Sequence, residues 1–377
     1  MATFQLNRGK NIKLKGAANK ELVDIPLPKK VAVQPPDFPG LHARLAVKEG
    51  DTVKVGTPVF TDKKIDGVQV VSPASGKVVA INRGHKRALL EIVIETDGNQ
   101  DAETFEIASK TNVGKLIAKE IKENLLKSGL WPVLRQRPFS KVAHPDEKPK
   151  SIFVHAMSTD PLAADVDFVL EGREEDFQIG LDIISKLTDG KVHLCVDKAA
   201  KSKALTGSQG VEIHQFSGPH PTGNIGTHIH YVDPILKGDL VWFIEAQDVI
   251  RVAELFTKGI YPVERIVALT GEPVKNRVYA RTMIGAPIST LLQGTDLEKN
   301  RCISGSILAG RDVGKDGFLC FYDSQITAIP EVQEREFLGW LVPGFKKYSF
   351  GNTFISSFLP QGEVALNTDL NGGDRAI

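Results

Sequence analysis

The sequence predicts a multidomain α/β fold: a small β barrel-sandwich, then a Rossmann-like α/β unit, then a small α+β module. Three observations predict it. At roughly 150 residues per domain, a chain of 377 residues holds two to three domains, and 41% apolar residues give each of them material for a core. Between residues 45 and 98, short β-branched runs are split by Gly-containing turns, the pattern of a small all-β unit. From residue 151 strand-like and helix-like segments alternate, which implies parallel pairing through right-handed crossovers.

Taken in order, the Pro-rich stretch Gln34-Pro35-Pro36-Asp37-Phe38-Pro39-Gly40 is a loop that precedes the β unit. Gly50-Asp51, Gly56, Asp66-Gly67, Ser75-Gly76 and Arg83-Gly84 punctuate that unit's strands. Thr111-Asn112 is an N-cap candidate for an amphipathic helix through Val113, Leu116, Ile117, Ile121 and Leu125, with Gly129 as its stop. Residues 130–139 have no clean period, and Pro138 discourages a helix there, so they read as a loop. The segments 151–156, 191–197, 211–216 and 240–244 read as strands, with a helix over 175–187 and a possible short helix between 197 and 211. Asp248 is the expected N-cap of a further helix through Val249, Val252, Ala253 and Phe256, and Gly259 is its stop. Beyond Tyr261-Pro262, residues 264–271 and 276–285 give two strands, 286–294 a short helix, and 302–308 and 318–331 further strands. Asn371-Gly372-Gly373-Asp374 reads as a linker.

Several function classes are excluded at this level. Forty-seven Lys and Arg against forty-six Asp and Glu leave +1, without the basic surplus of a nucleic-acid binder, so no nucleic-acid partner is expected. Cys195, Cys302 and Cys320 form no C-x-x-C pair for zinc or an iron–sulfur cluster and suggest no disulfide framework. No run approaches the ~18 to 20 apolar residues that span a bilayer, and the N-terminus lacks a signal-peptide apolar stretch. A soluble cytoplasmic protein is expected. No G-x-G-x-x-G follows a strand in the α/β block, and no G-x-S-x-G elbow or defensible carboxylate pair occurs. No catalytic residue is therefore nominated.

Three motifs carry candidate chemistry. Thr61-Asp62-Lys63-Lys64, followed by Ser72-Pro73-Ala74-Ser75-Gly76, looks like the hairpin that presents the acyl-carrying lysine in lipoyl and biotinyl domains. The stretch is longer than such a hairpin and doubles the lysine, so plain barrel-sandwich architecture is the reading taken. Between His220 and His230 lie three of the nine histidines, and the spacing of His228 and His230 would put both on one face of a strand. No acid or thiol lies nearby to complete a metal shell, so packing is the reading taken and no metal ligand is assigned. The 131–141 loop combines Trp131 and Phe139 with Arg135, Arg137 and Lys141, a mixture suited to an apolar ring whose carbonyls need donors. The competing reading is an interdomain plug with Trp131 and Phe139 in the core.

The ordered blocks VKEGDTVKVGTPVFTDKK, VVSPASGKVVAINRGHKRALLEIVIE, LLKSGLWPVLRQRPFSKV, AMSTDPLAAD, SGPHPTGNIGTHIH, QDVIRVAELFTKGIYPVERIVALTG, ISGSILAG and EFLGWLVPG closely resemble the NqrA family, one of the subunits of the bacterial sodium-translocating NADH:quinone reductase. The match runs along essentially the whole chain. The resemblance implies an N-terminal segment over 1–36, a lipoyl/biotinyl-like barrel-sandwich over 37–98, a helix and linker over 99–150 and a Rossmann-like domain over 151–258. A β-grasp (SLBB-like) module over 259–331 follows, then an extension over 332–377 that leads to a helical domain beyond the last residue.

It also implies a peripheral subunit on the cytoplasmic side of the inner membrane, soluble when isolated, in a respiratory complex that oxidises NADH, reduces quinone and exports sodium. The resemblance further implies that the complex's flavins and iron–sulfur centres, with the NADH site, belong to other subunits, which would be this chain's partners, and that the chain itself is expected to bind no cofactor. The family is similar to the RnfC subunit of the Rnf complex and to the NADH- and flavin-binding subunit of respiratory complex I. Where those relatives place a glycine-rich flavin and NADH loop, this chain has Leu130-Trp131-Pro132-Val133-Leu134-Arg135, and where they carry an acidic segment it has Met157-Ser158-Thr159-Asp160-Pro161. Bulky side chains are expected to fill the space that glycines leave open. Candidate quinone contacts are Phe38 and Leu41 in one loop and Trp131, Arg135, Arg137, Phe139 and Lys141 in the other. The alternative is a purely structural docking subunit.

Overall fold

Alternating strands and helices between residues 151 and 258 build a seven-stranded sheet. Its order is Ala2–Gln5, Glu212–Ser217, Val192–Asp197, Ile152–Ala156, Val241–Glu245, Arg135–Arg137, Lys141–Val142. The first five strands are parallel, and the last two form an antiparallel hairpin against Val241–Glu245. The four strands of the α/β block thus stand in the order third, second, first, fourth, so the chain reverses direction across the sheet between Ile152–Ala156 and Val241–Glu245. In open α/β sheets ligands bind outside the carboxyl ends of strands at such a point.

Period-2 alternation sorts the sheet's side chains into two faces. On one face Ile152, Val154, Leu194, Val196, Trp242 and Ile244 are buried, and helices Glu174–Ile184 and Ala246–Lys258 supply the apolar cover. These two helices approach closely at Gly180, where a Cβ would lie 2.2 Å from the Val249 carbonyl oxygen. Gly180→Ala is therefore expected to push the helices apart and cost about 1–3 kcal/mol, read as a lowered unfolding midpoint. On the opposite face Phe153, Cys195, Phe216 and Phe243 pack with Ile225 and Ile229 of helix Ile225–Val232.

The computed structural model describes residues 2–108, 113–332, 337–339, 341–349, 351–360 and 362–369. The β unit is a sandwich of a four-stranded sheet, Lys30–Val33, Leu89–Thr96, Gly76–Arg83 and Thr52–Val53, and a three-stranded one, Ala43–Leu45, Pro58–Asp62 and Gln69–Val71. Val31, Val59, Phe60, Val78, Ile92 and Ile94 are fully buried in its core. Lys63 and Lys64 are exposed in the turn after Pro58–Asp62, where the Asp62 carboxylate accepts the N–H groups of Lys64 and Ile65 at 2.6 and 2.7 Å.

The third unit is a mixed six-stranded sheet ordered Arg311–Asp312, Asn300–Ser304, Gln325–Pro330, Glu264–Thr270, Tyr279–Met283, Leu22–Asp24. The first 33 residues thus give one strand to each unit. Among the described residues no helix is long and apolar enough to cross a membrane.

Four local expectations are corrected. Residues 130–139 are not a plain loop: they form a 3-10 turn, Trp131–Val133, and the strand Arg135–Arg137, which pairs with Lys141–Val142 as an edge hairpin. The strand's partner lies a hundred residues away, so no local period announces it. His228 and His230 lie on helix Ile225–Val232, not on a strand. A two-residue step on a helix turns them apart, so His228 is fully buried and His230 exposed. Asp248 is not the N-cap. The helix starts at Ala246, and Asp248 sits in its first turn, fully buried between Arg251 at 2.8 Å and Arg265 at 3.1 Å. The amphipathic helix begins at Ala118, after a 3-10 turn at Val113–Lys115. Thr111-Asn112, like the proposed linker at 371–374, lies outside the described residues. Gly259 does end its helix, at φ +67°, with its N–H on the Leu255 carbonyl.

Candidate functional site

The point where strand order reverses is occupied by side chains. His155 and Glu245 stand near or at the carboxyl ends of the two diverging strands, side by side in register. Nδ1 of His155 meets Oε2 of Glu245 at 2.7 Å, and its Nε2 hydrogen-bonds to the Gly223 carbonyl at 2.6 Å. The other Glu245 oxygen accepts from Arg135 Nη2 at 2.5 Å. The Arg135 guanidinium lies between the rings of Phe243 and Tyr322, 4.4 Å from each centroid, and the Tyr322 hydroxyl donates to the Pro132 carbonyl at 2.7 Å. Charge-assisted bonds among half-buried groups are stronger than exposed ones and reinforce one another.

Burial disfavours the His155 imidazolium, but the Glu245 carboxylate and the Gly223 carbonyl outweigh it, and its pKa is raised. Burial likewise opposes the Glu245 carboxylate, but His155 and Arg135 hold its pKa well below the usual range. What remains open is a cavity of about 50 Å³ between His155, Glu245, Gln247, Arg265, Tyr322 and Ser324. Pockets that hold drug-sized ligands start near roughly 300 Å³.

The opposite face of the reversal point is closed by Trp131. It is fully buried, stands edge-on to Trp242 with centroids 5.4 Å apart, and donates its Nε1 hydrogen to the Ala143 carbonyl at 2.7 Å. The segment 130–135 therefore fills both faces, Trp131 on one and Arg135 on the other.

A cleft of about 430 Å³ lies beside this site, over the ends of Ile152–Ala156 and Val192–Asp197. Its walls include Asp165, Asp167 and Asp197 against Lys20 and Lys201. Lys20 is paired to Asp165, and the Asp167 carboxylate accepts the N–H groups of Lys201 and Ser202, each at 2.9 Å. Three carboxylates and no glycine-rich turn make this a poor seat for a pyrophosphate.

The seven residues nominated from sequence do not converge on one pocket. Phe38 is buried against Phe321, Phe60 and Tyr322, with ring centroids 4.8, 5.7 and 6.0 Å away. Trp131 and Arg135 belong to the filled reversal point. Arg137 is half-buried, 5.5 Å from the Phe243 ring, and burial lowers its pKa. Leu41 and Lys141 are half-buried. Phe139 stands at the hairpin tip, 85% exposed and held at φ +76°. The two nominated loops do touch. The Val142 N–H donates to the Pro39 carbonyl at 2.9 Å, and Gly40 lies against the Lys141 side chain.

Sequence reasoning missed His155, Glu245 and Tyr322. The first two were accessible through one rule: they lie at or next to the carboxyl ends of the first and fourth strands of the parallel block, where such sheets bind ligands.

Comparison with known proteins agrees with the three-unit architecture. The family profile described as the NqrA N-terminal barrel-sandwich hybrid domain matches residues 4–97. The NqrA second alpha/beta domain matches 116–261, and the NQRA C-terminal domain matches 266–315. The chain is 40% identical over 376 residues to the NqrA subunit of the Na(+)-translocating NADH-quinone reductase of Yersinia pseudotuberculosis serotype I (strain IP32953), spanning 99% of this chain and 84% of that protein. It is 41% identical over 375 residues to the corresponding subunit of Pasteurella multocida (strain Pm70), spanning 99% and 83%. With all three domains in order and this identity along nearly its whole length, the chain belongs to the NqrA family of Na(+)-translocating NADH-quinone reductase subunits.

Proposed function

We propose that this chain is a peripheral subunit on the cytoplasmic side of the inner membrane, soluble when isolated, that carries no redox cofactor and lends the reductase a quinone-proximal surface. Other subunits of the complex hold the flavins and iron–sulfur centres. The reading without a cofactor is supported by the filled reversal point, where side chains leave about 50 Å³.

The quinone-proximal reading is carried by one observation: an aromatic ring, Phe139, is held out at the tip of a short hairpin, 85% exposed. A bulky residue at positive φ is uncommon and marks a conformation imposed by its surroundings. Arg137 and Lys141 flank it as donors for quinone carbonyls, and the adjoining 38–41 loop adds Leu41. In the assembled complex, Phe139→Ala is expected to raise KM for a short-chain quinone about tenfold, the equivalent of about 1.4 kcal/mol, with kcat unchanged. An exposed tip contributes within about 0.5 kcal/mol to folding, so the subunit's melting temperature stays put. An unchanged KM would remove the quinone contact.

The second reading, a docking subunit that never touches quinone, is favoured by the burial of Phe38 and Trp131. It predicts that Phe139→Ala leaves KM alone and weakens retention of this subunit in the purified complex.

A further inference from the structure

The parallel sheet carries a second cluster of titratable side chains at the opposite, amino-terminal end of its strands. His193 and Glu212 face each other in register, and His214 follows two residues after Glu212 on the same face. Nδ1 of His193 lies 3.0 Å from Nε2 of His214, and Oε2 of Glu212 lies 3.5 Å from the first and 3.8 Å from the second. We propose that His193, His214 and Glu212 form a binding site for a divalent transition-metal ion of the zinc class, with the fourth coordination position open to solvent.

The geometry carries the assignment. A circle through three points 3.0, 3.5 and 3.8 Å apart has a radius of about 2.0 Å, and zinc binds imidazole nitrogen and carboxylate oxygen at about 2.0–2.2 Å. An ion near the plane of these atoms thus reaches all three at bonding distance with only small side-chain adjustments. Two imidazoles and a carboxylate are a donor set that suits zinc and its neighbours.

The surroundings free these atoms for the task. Lys191 engages the other Glu212 oxygen at 2.5 Å, which leaves Oε2 turned to the imidazoles. Both rings are buried among apolar neighbours, which disfavours the charged imidazolium and favours the neutral form that offers a lone pair. Phe153 and Phe4 wall the two imidazoles, with centroids 4.9 and 6.3 Å away. Glu212 is 43% exposed and forms the solvent side.

Without metal the pair is poorly satisfied. The two facing nitrogens share one hydrogen, and Nδ1 of His214 is buried with no partner, an arrangement that costs free energy. The same unpartnered nitrogen deprives this ligand of the outer hydrogen bond that usually stiffens a metal site, so micromolar rather than picomolar affinity is expected.

The test is calorimetric titration of chelator-stripped full chain with zinc alone, with cobalt substitution as the spectroscopic reporter. One equivalent is expected to bind, and cobalt to give the intense visible bands of a four-coordinate site. Glu212→Gln, at a half-exposed position that tolerates change, and His214→Ala should each weaken binding at least tenfold. His230→Ala, an exposed histidine elsewhere, should leave it unchanged, and thermal melts without metal establish that each variant is folded. Stoichiometric binding that survives both Glu212→Gln and His214→Ala would place the metal elsewhere and overturn the proposal. Absence of stoichiometric uptake at micromolar zinc would overturn it as well.

Discussion

Replacing Trp131 with alanine is expected to destabilise the chain by about 4 kcal/mol, the middle of the range for deleting a large buried aromatic. The ring is fully buried, its neighbour is the edge of Trp242, and its indole N–H satisfies the Ala143 carbonyl. Truncation leaves a cavity at the centre of the sheet and a buried carbonyl without its donor. Trp131→Phe keeps most of the volume and is expected to recover about half of the loss. Thermal unfolding, followed by the remaining tryptophans, measures both. A Trp131→Ala protein that melted like the parent, with altered quinone affinity, would mean that the ring serves a ligand rather than the core.

Glu245→Ala is expected to cost about 2 kcal/mol, because removing one member of a half-buried charge network leaves the others uncompensated, with solvent screening part of the loss. Here the stranded groups are the Arg135 guanidinium and the His155 imidazole. At roughly 2–4 °C per kcal/mol for a domain of this size, the melting temperature should fall by roughly 4–8 °C.

The network also sets a pH signature. His155 titrates higher than its ordinary 6.5 in the folded chain, so its contribution is complete below that value and fades as the pH rises through the raised one. Glu245 titrates lower than its ordinary 4.5, so its contribution is complete above that value and fades as the pH falls through the depressed one. The difference in stability between parent and Glu245→Ala should therefore be largest between pH 4.5 and 6.5. A difference that kept growing above that window would contradict the assignment.

Elements paired with close neighbours in sequence were legible in the sequence, and elements recruited from afar were not. The parallel strands from 151 onward announce themselves through β-branched runs separated by helix-length segments, and Gly259 stops its helix because the left-handed conformation there suits glycine. Ala2–Gln5 and Arg135–Arg137 carry no such signal. The first is largely exposed and pairs with Glu212–Ser217 some two hundred residues on. The second alternates two arginines with a glutamine and owes its strand conformation to Val241–Glu245.

The histidines at 228 and 230 misled through spacing alone. Asn224 followed by Ile225 and Ile229 is a helix start with its apolar face at i and i+4, and that period decides the segment. Within the candidate site, the bulk of residues 130–135 was readable as a filled loop. The partners of Arg135 were not, since Glu245 and Tyr322 meet it only through the sheet and the third unit.

Side chains, chiefly Trp131, Arg135, His155 and Tyr322, occupy the place where a redox cofactor would lie in an open α/β sheet. An absorbance spectrum of the purified chain, followed by titration with FMN and NADH, tests it most directly. The prediction is a colourless protein that neither quenches FMN fluorescence nor shifts its spectrum at stoichiometric concentrations. A yellow preparation that retains flavin through gel filtration, or saturable FMN uptake lost on enlarging Ser324 at the cavity wall, would contradict it.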